Sequence, residues 1–418
     1  MRTCFEKPDE ARHGPESSAT MRRREFLGGV ASLTAGVLAG GCASSASPGA
    51  GAVTQEKPRE KPMTVYVGGY TTKERNGRGE GITVYRMDPS TGDLTQIQLL
   101  TGLVNPSWLT LDCRQRTLYS AHGDGTEATA YAIDRATGQI QVMNRQSTDG
   151  KNGVRVGIDG LNRFVVCANY GSGTVALLGI ETDGSLGPLR DLATLNGKPG
   201  PQRTEQASSH PHDAAFDPRG RFVLVPDKGL DTVFVSTVDV TAGKLVPANP
   251  PSVTTRPGAG PRHAGFHPTK PYAYVINELD STITTYRFDP DRGALSPLQV
   301  ITTLPPSFTG NNTTAEIAVA PSGRFVYGTN RGHDSVAIFS VDETTGALAP
   351  VGWEPTQGKT PRFMGLDPSG TFLYAANQDS DTIVVFRVDG ATGRLKATGR
   401  VVTVGSPSTM VFRQTAGA

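Results

Sequence analysis

The chain has 418 residues, 50 of them glycine and 30 proline, with 7% aromatic residues and a formal net charge of +2. A balance this close to neutral leaves no electrostatic footprint for a polyanion, so no nucleic-acid partner is expected. The glycine and proline content fits an all-β chain of many short strands joined by turns.

Residues 1–42 read as an address rather than as part of a fold. The stretch before Met21 is polar and patternless, and Met21 is an alternative start. From there MRRREFLGGVASLTAGVLAGGCASS runs from a basic segment through an apolar, small-residue segment to a small-residue cleavage zone. Arg23-Arg24-Glu25-Phe26-Leu27 resembles the twin-arginine export motif, so the protein is expected outside the cytoplasmic membrane, in the periplasm or anchored. Ala39-Gly40-Gly41-Cys42 resembles a lipoprotein cleavage site, although the position held by Ala39 is usually Leu. Cys42 is therefore read either as a lipid-anchored residue or as part of ordinary cleavage or an uncleaved anchor. Residues 43–62 form a Ser/Gly/Pro/Lys linker.

From residue 63 to residue 413 one unit repeats, with a period of about 46–58 residues, near the range of propeller blades. Its clearest copy is SHPHDAAFDPRGRFVLVPDKGLDTVFVSTVD, from Ser209 to Asp239. A polar cluster leads into a short apolar run. The Asp217-Pro218-Arg219-Gly220 turn follows, where Pro pre-sets φ and Gly accepts a positive one. Phe222–Val225 and Thr232–Val238 read as the next two strands, joined by a turn at Asp227–Asp231. Seven Gly turns join a third strand to a fourth, the last at Thr392-Gly393-Arg394-Leu395, yet only six first strands precede them. The missing strand is Ser406–Phe412, which resembles Asn105–Leu111. The expected fold is thus a seven-bladed β-propeller of four-stranded blades, closed by the C-terminal strand joining the blade begun at Met63. Closure protects the sheet edges that an open solenoid would have to cap.

The four cysteines make no disulfide framework, although a bridge between Cys113 and Cys167 is compatible with export. No CxxC or HExxH spacing occurs, so neither a metal nor another cofactor is expected. Asn169, Asp227, Asn277, Asn330 and Asn377 recur from blade to blade and read as turn caps. His267 replaces a turn Asp and reads as structural. His122 and His333 fall in turns, where solvent exposure is the expectation.

With the strands of a blade lettered a to d from the axis outward, the a–b and c–d turns share one face of the ring. They are tight. The b–c turns and the d–a connections share the other face, and these include the long Asn196–His210 and Leu304–Thr314 segments. Function concentrates on such variable loops. The starts of strands a supply His212, Arg262, His263, Glu316 and Arg362 to this rim, and the b–c turns supply Lys228, Glu278, Arg331 and Gln378. His212, Arg262, Glu278 and Arg331 are the candidate catalytic residues. His263, Glu316, Arg362 and Lys228 are candidate substrate-binding residues.

SHPHDAAFDPRGRFVLVPDKGLD, GPRHAGFHPTKPYAYVINELDST, AEIAVAPSGRFVYGTNRGHDS and PRFMGLDPSGTFLYAANQDSD together resemble the lactonase-type seven-bladed propellers. That family includes 6-phosphogluconolactonases and the fungal carboxy-cis,cis-muconate cyclase. The resemblance implies a lactonase-like hydrolase acting on a small acidic, sugar-type lactone; a monomer is expected. The alternatives are a muconate-type cyclase or a non-catalytic envelope propeller that binds small acids or partners. It also implies that a His, a Glu and two Arg serve the site, on His212, Glu278, Arg262 and Arg331. Glu278 is the first choice of proton acceptor and His212 the second. One departure stands out: a Pro and a His are common in the family where this chain has Asn152-Gly153-Val154-Arg155, so substrate choice is expected to differ. An exported protein is also an unexpected place for a phosphorylated substrate.

Overall fold

A computed structural model describes residues 62–414. The export motif, Cys42 and the linker up to residue 61 lie outside the described residues. Met63–Gln414 forms seven four-stranded antiparallel sheets. In blade 1 the order from the axis is Pro407–Gln414, Met63–Gly69, Gly81–Met87 and Leu94–Thr101. Met63 pairs with Gln414 and Val67 with Met410, so the C-terminal strand closes the ring and runs two residues beyond the expected Phe412.

Burial follows position in the blade. Strand b is packed by neighbouring blades on both faces, so Phe164–Asn169 and Tyr272–Asn277 are buried throughout. Strand d lies at the circumference, and much of Leu186–Thr194 faces solvent. Sheets stacked this way need ties between blades, and tyrosines on strand b supply them. The hydroxyls of Tyr66, Tyr119, Tyr274, Tyr327 and Tyr374 each donate to the carbonyl of a c–d turn glycine in the next blade, at 2.7–3.2 Å. The last of these, to Gly92, crosses the closure from blade 7 to blade 1. Gly393 shows why glycine holds such turns. Its φ is +73°, and a Cβ there would stand 2.3 Å from the Phe325 ring.

The turn residues divide as the sequence implies, with two exceptions. Asp217 accepts from the amides of Arg221 and Phe222, tightening its a–b turn. His267 does the same work with Nδ1, which accepts from Thr269 and Lys270. The Asn caps are buried and bond across the b–c turns, Asn330 to Ser335 and to the carbonyl of Thr303. His122 is not exposed. It ends strand b of blade 2 where other blades carry Asn or Asp, is buried, and bonds Ser120, Thr129 and the Val104 carbonyl. His333 is half-buried against Phe308, its Nδ1 2.6 Å from the Ser335 hydroxyl. In both cases a nearby hydroxyl turns an apparent surface histidine inward. Cys113 and Cys167 are thiols, not a disulfide.

Candidate active site

The start of strand a is bulged in blade after blade, and the bulge builds the site. Pro261 pairs with Asn277 and His263 with Ile276, which leaves Arg262 as an extra residue. The same shift occurs at Pro106/Trp108, Gly153/Arg155 and Pro361/Phe363. A bulge frees two consecutive residues from strict alternation, so both can be aimed at the axis. Register equivalence then sorts the channel side chains into layers. The upper layer has His212, Arg262 and Arg362 on one side and Ser408, Ser107 and Val154 on the other. The layer beneath has Asp213, His263 and Glu316 facing Trp108, Arg155 and Phe363. The b–c turns add Lys228, Glu278 and Arg331, with Tyr170 beside Lys228 and Tyr70 beside Arg362. Blades 4 to 7 therefore supply most of the charge, and blades 1 to 3 a largely uncharged wall broken by Arg155.

All eight candidate residues converge here. Glu278 is the hub. Its Oε2 lies 2.8 Å from Arg262 Nε and 3.3 Å from Arg331 Nη2, and its Oε1 3.2 Å from Lys228 Nζ. The Arg262 and Arg331 guanidinia also donate to the carbonyls of Ala315 and Thr314, each at 2.5 Å. His263 Nδ1 faces Glu316 Oε2 at 3.2 Å. The His212 ring meets that of His263 edge-on at 5.2 Å and that of Tyr170 at 5.4 Å. Arg362 lies over the Tyr70 ring at 5.2 Å, and among the described residues no carboxylate pairs with it. Gln378 stands apart, its contacts running to Asp379, Thr360 and Arg78.

Arg155, Asp213 and Trp108 join them unforeseen as site residues. Arg155 Nε pairs with Asp213 Oδ1 at 2.7 Å, and its guanidinium lies 3.6 Å over the Trp108 ring. The available signal was Arg155 itself, noticed only as a departure from a family pattern.

Between His212, Arg262, His263, Arg362, Tyr70 and Trp108 is a gap of about 10 Å³, roughly the room one water needs. Its electrostatics are uneven. Burial, then Arg262, holds the His212 imidazole well below its ordinary value, with Glu278 opposing. It is therefore neutral near pH 7, and its Nδ1 is buried without a hydrogen-bond partner. Burial works against ionisation of Glu278, but Arg331, Arg262 and Lys228 outweigh it and hold the carboxyl well below the usual range. Burial pushes Glu316 up to about 7, against Arg155 and Arg262. Burial also lowers Arg262 to about 9, opposed by Glu278, and it stays charged at neutral pH. Below Trp108 the channel widens into a cavity of about 470 Å³ that includes Val156, Ala318, Phe363 and Met410 in its lining.

Fold and rim define a closed seven-bladed propeller with a charged axial site. The family described as "Lactonase, 7-bladed beta-propeller" matches residues 64–412. The chain belongs to that family and is a lactonase-type enzyme. It is 37% identical over 303 residues to a 6-phosphogluconolactonase of Bacillus subtilis, covering 72% of this chain and 84% of the relative. A 6-phosphogluconolactonase of Formosa agariphila is 31% identical over 320 residues, covering 72% and 86%. The crystallised periplasmic gluconolactonase of Pseudomonas aeruginosa is 32% identical, with a TM-score of 0.79 over 85% of this chain and all of its own.

Proposed function

We propose that the protein hydrolyses a sugar-type lactone at the rim gap, with His212 as general base. One observation carries this reading. A neutral imidazole with an unpartnered, buried Nδ1 lines a water-sized gap beside Arg362, the rim arginine without a carboxylate partner. The lactone ring sits in the mouth above, against Tyr70, Ser107 and Tyr170. His212 takes a proton from the water as its oxygen bonds the carbonyl carbon. Arg362 and Arg262 donate to the oxyanion that forms. The ring C–O bond then breaks, and the imidazolium returns the proton to the departing alkoxide. Glu278 is a poor proton acceptor for the reason that makes it well ionised: three cations hold it. Its part is to fix Arg262 and Arg331 and to favour the imidazolium. Ring closure of the muconate type is a different step, in which a carboxylate oxygen adds to a carbon–carbon double bond and an acid protonates the neighbouring carbon.

The test is proton release on a panel of sugar lactones. Turnover in the wild type and its loss in His212→Ala support the reading. Binding of organic acids without turnover would leave a non-catalytic scaffold. We also infer export through Arg23-Arg24; that the Pseudomonas aeruginosa relative is a periplasmic gluconolactonase supports export itself. Changing both to Lys is expected to hold the protein in the cytoplasm, and normal export would defeat that reading. A mass measurement on the exported chain reads whether Cys42 carries lipid, and sedimentation whether the protein is a monomer.

A further inference from the structure

The longest stretch of chain over the mouth, the Asn196–His210 connection, is stitched down. The Gln206 side chain is buried, donating to the Lys228 carbonyl at 2.9 Å and to Asp231 Oδ1 at 2.7 Å. Its Oε1 accepts from the Gln202 amide, and the Gly200 amide donates to the Gly229 carbonyl at 2.9 Å. Held this way, the loop sets the residue before Gln206 over Lys228. Glu205 Oε2 lies 2.7 Å from Lys228 Nζ.

The two partners differ sharply in environment. The Lys228 side chain is 4% exposed and that of Glu205 is 50% exposed. The ammonium has Glu278 beneath it and the Tyr170 ring at 5.4 Å to one side. Glu278 is held by two arginines as well, so it cannot yield its place cheaply. Glu205 has solvent on its far side and lies where an anionic substrate group would approach. Burial alone would lower the Lys228 ammonium, but Glu278, Tyr170 and Glu205 outweigh it, so it stays charged.

We propose that Glu205 is a specificity-determining residue, its carboxylate holding the anion position on Lys228. Neutral lactones then bind without disturbing it, and phosphorylated or carboxylated ones must displace it. The inference rests on the lactonase reading for its substrates but not for its electrostatics.

The test compares wild type, Glu205→Gln and Lys228→Met, with Glu205→Gln also made in the Lys228→Met background. Two arms are read: KM and kcat on gluconolactone and its 6-phosphate, and calorimetric binding of gluconate and 6-phosphogluconate. Glu205→Gln is expected to lower KM for the phosphorylated lactone about tenfold, with kcat unchanged, and to shift the neutral one less than about twofold. The gain should shrink in high salt and vanish when Lys228 is Met. An equal effect on both substrates, or none on the phosphorylated one, overturns the proposal. If neither lactone is turned over but Glu205→Gln still tightens 6-phosphogluconate alone, the lactonase reading fails and this one stands.

Discussion

At one end of the central channel lies a cavity of about 470 Å³, and at the other a gap of about 10 Å³. The large void is bordered mostly by apolar side chains from strands a, among them Val156, Val319, Phe363 and Met410. Its acids, Asp112 and Asp367, are occupied in capping a–b turns. The small gap is where His212, Arg262 and Arg362 meet. Room and chemistry are set by different parts of the repeat. Wherever the channel side chains are small or aliphatic, the ring leaves space. Wherever the bulge turns long polar side chains inward, they fill that space and become a site.

The heaviest blow to both ends is removal of the shared closing strand, since Ser408 borders the gap and Met410 the cavity. A chain stopped after Gly405 should show no cooperative unfolding transition by circular dichroism, because strand b of blade 1 loses its partner along its whole length. The next effect separates the ends. His212→Ala should lower kcat by about 10²–10⁴, with a melting temperature near wild type. Glu278→Gln should keep more turnover than His212→Ala yet lose roughly 3–5 kcal/mol of stability in urea, because buried guanidinia are left without their carboxylate. The reverse pattern would make Glu278 the base.

A smaller effect follows from Glu316. Folded, it keeps its proton up to about pH 7, whereas an ordinary glutamate releases it near 4.5. Its contribution to stability is therefore complete below 4.5 and lost as pH rises through 7. Glu316→Gln should match wild type at pH 4 and exceed it at pH 8 by something on the order of 3 kcal/mol. The acid limb of kcat/KM should lie below 6.5, since the base must be neutral and His212 is lowered. At the cavity end, Ala318→Leu should fill space and leave kcat within about twofold. A large loss there would erase the contrast between the two ends.

Much of this architecture is legible in the sequence because it is written seven times. The Gly turns between strands c and d fixed the blade count, and the shortage of one first strand located the closure at the C-terminus. The eight candidate residues were legible because they differ from blade to blade at fixed offsets. What stayed hidden depends on pairs far apart in the chain. Arg155 means little until Asp213 and Trp108 are seen around it. Glu205 sits in a loop without periodicity, and only the Gln206 anchor reveals where it points. The proposed preference for His212 over Glu278 as base rests on the three cations around Glu278, which keep it ionised and lower its basicity, and those pairings are visible only in the fold.

The closing strand has one more consequence. Met63 and Gln414 are direct partners, and both lie at the a–b turn end of blade 1, where the Gln414 amide reaches the Gln115 side chain. The ring thus has its two handles side by side on the face away from the mouth. Anything joined to either handle, whether a leader, a lipid or a surface linker, grips the domain from behind. Tethered through residue 62, the enzyme would present its mouth outward to solution, and a reporter or immobilisation tag at either terminus would leave the approach of substrate clear.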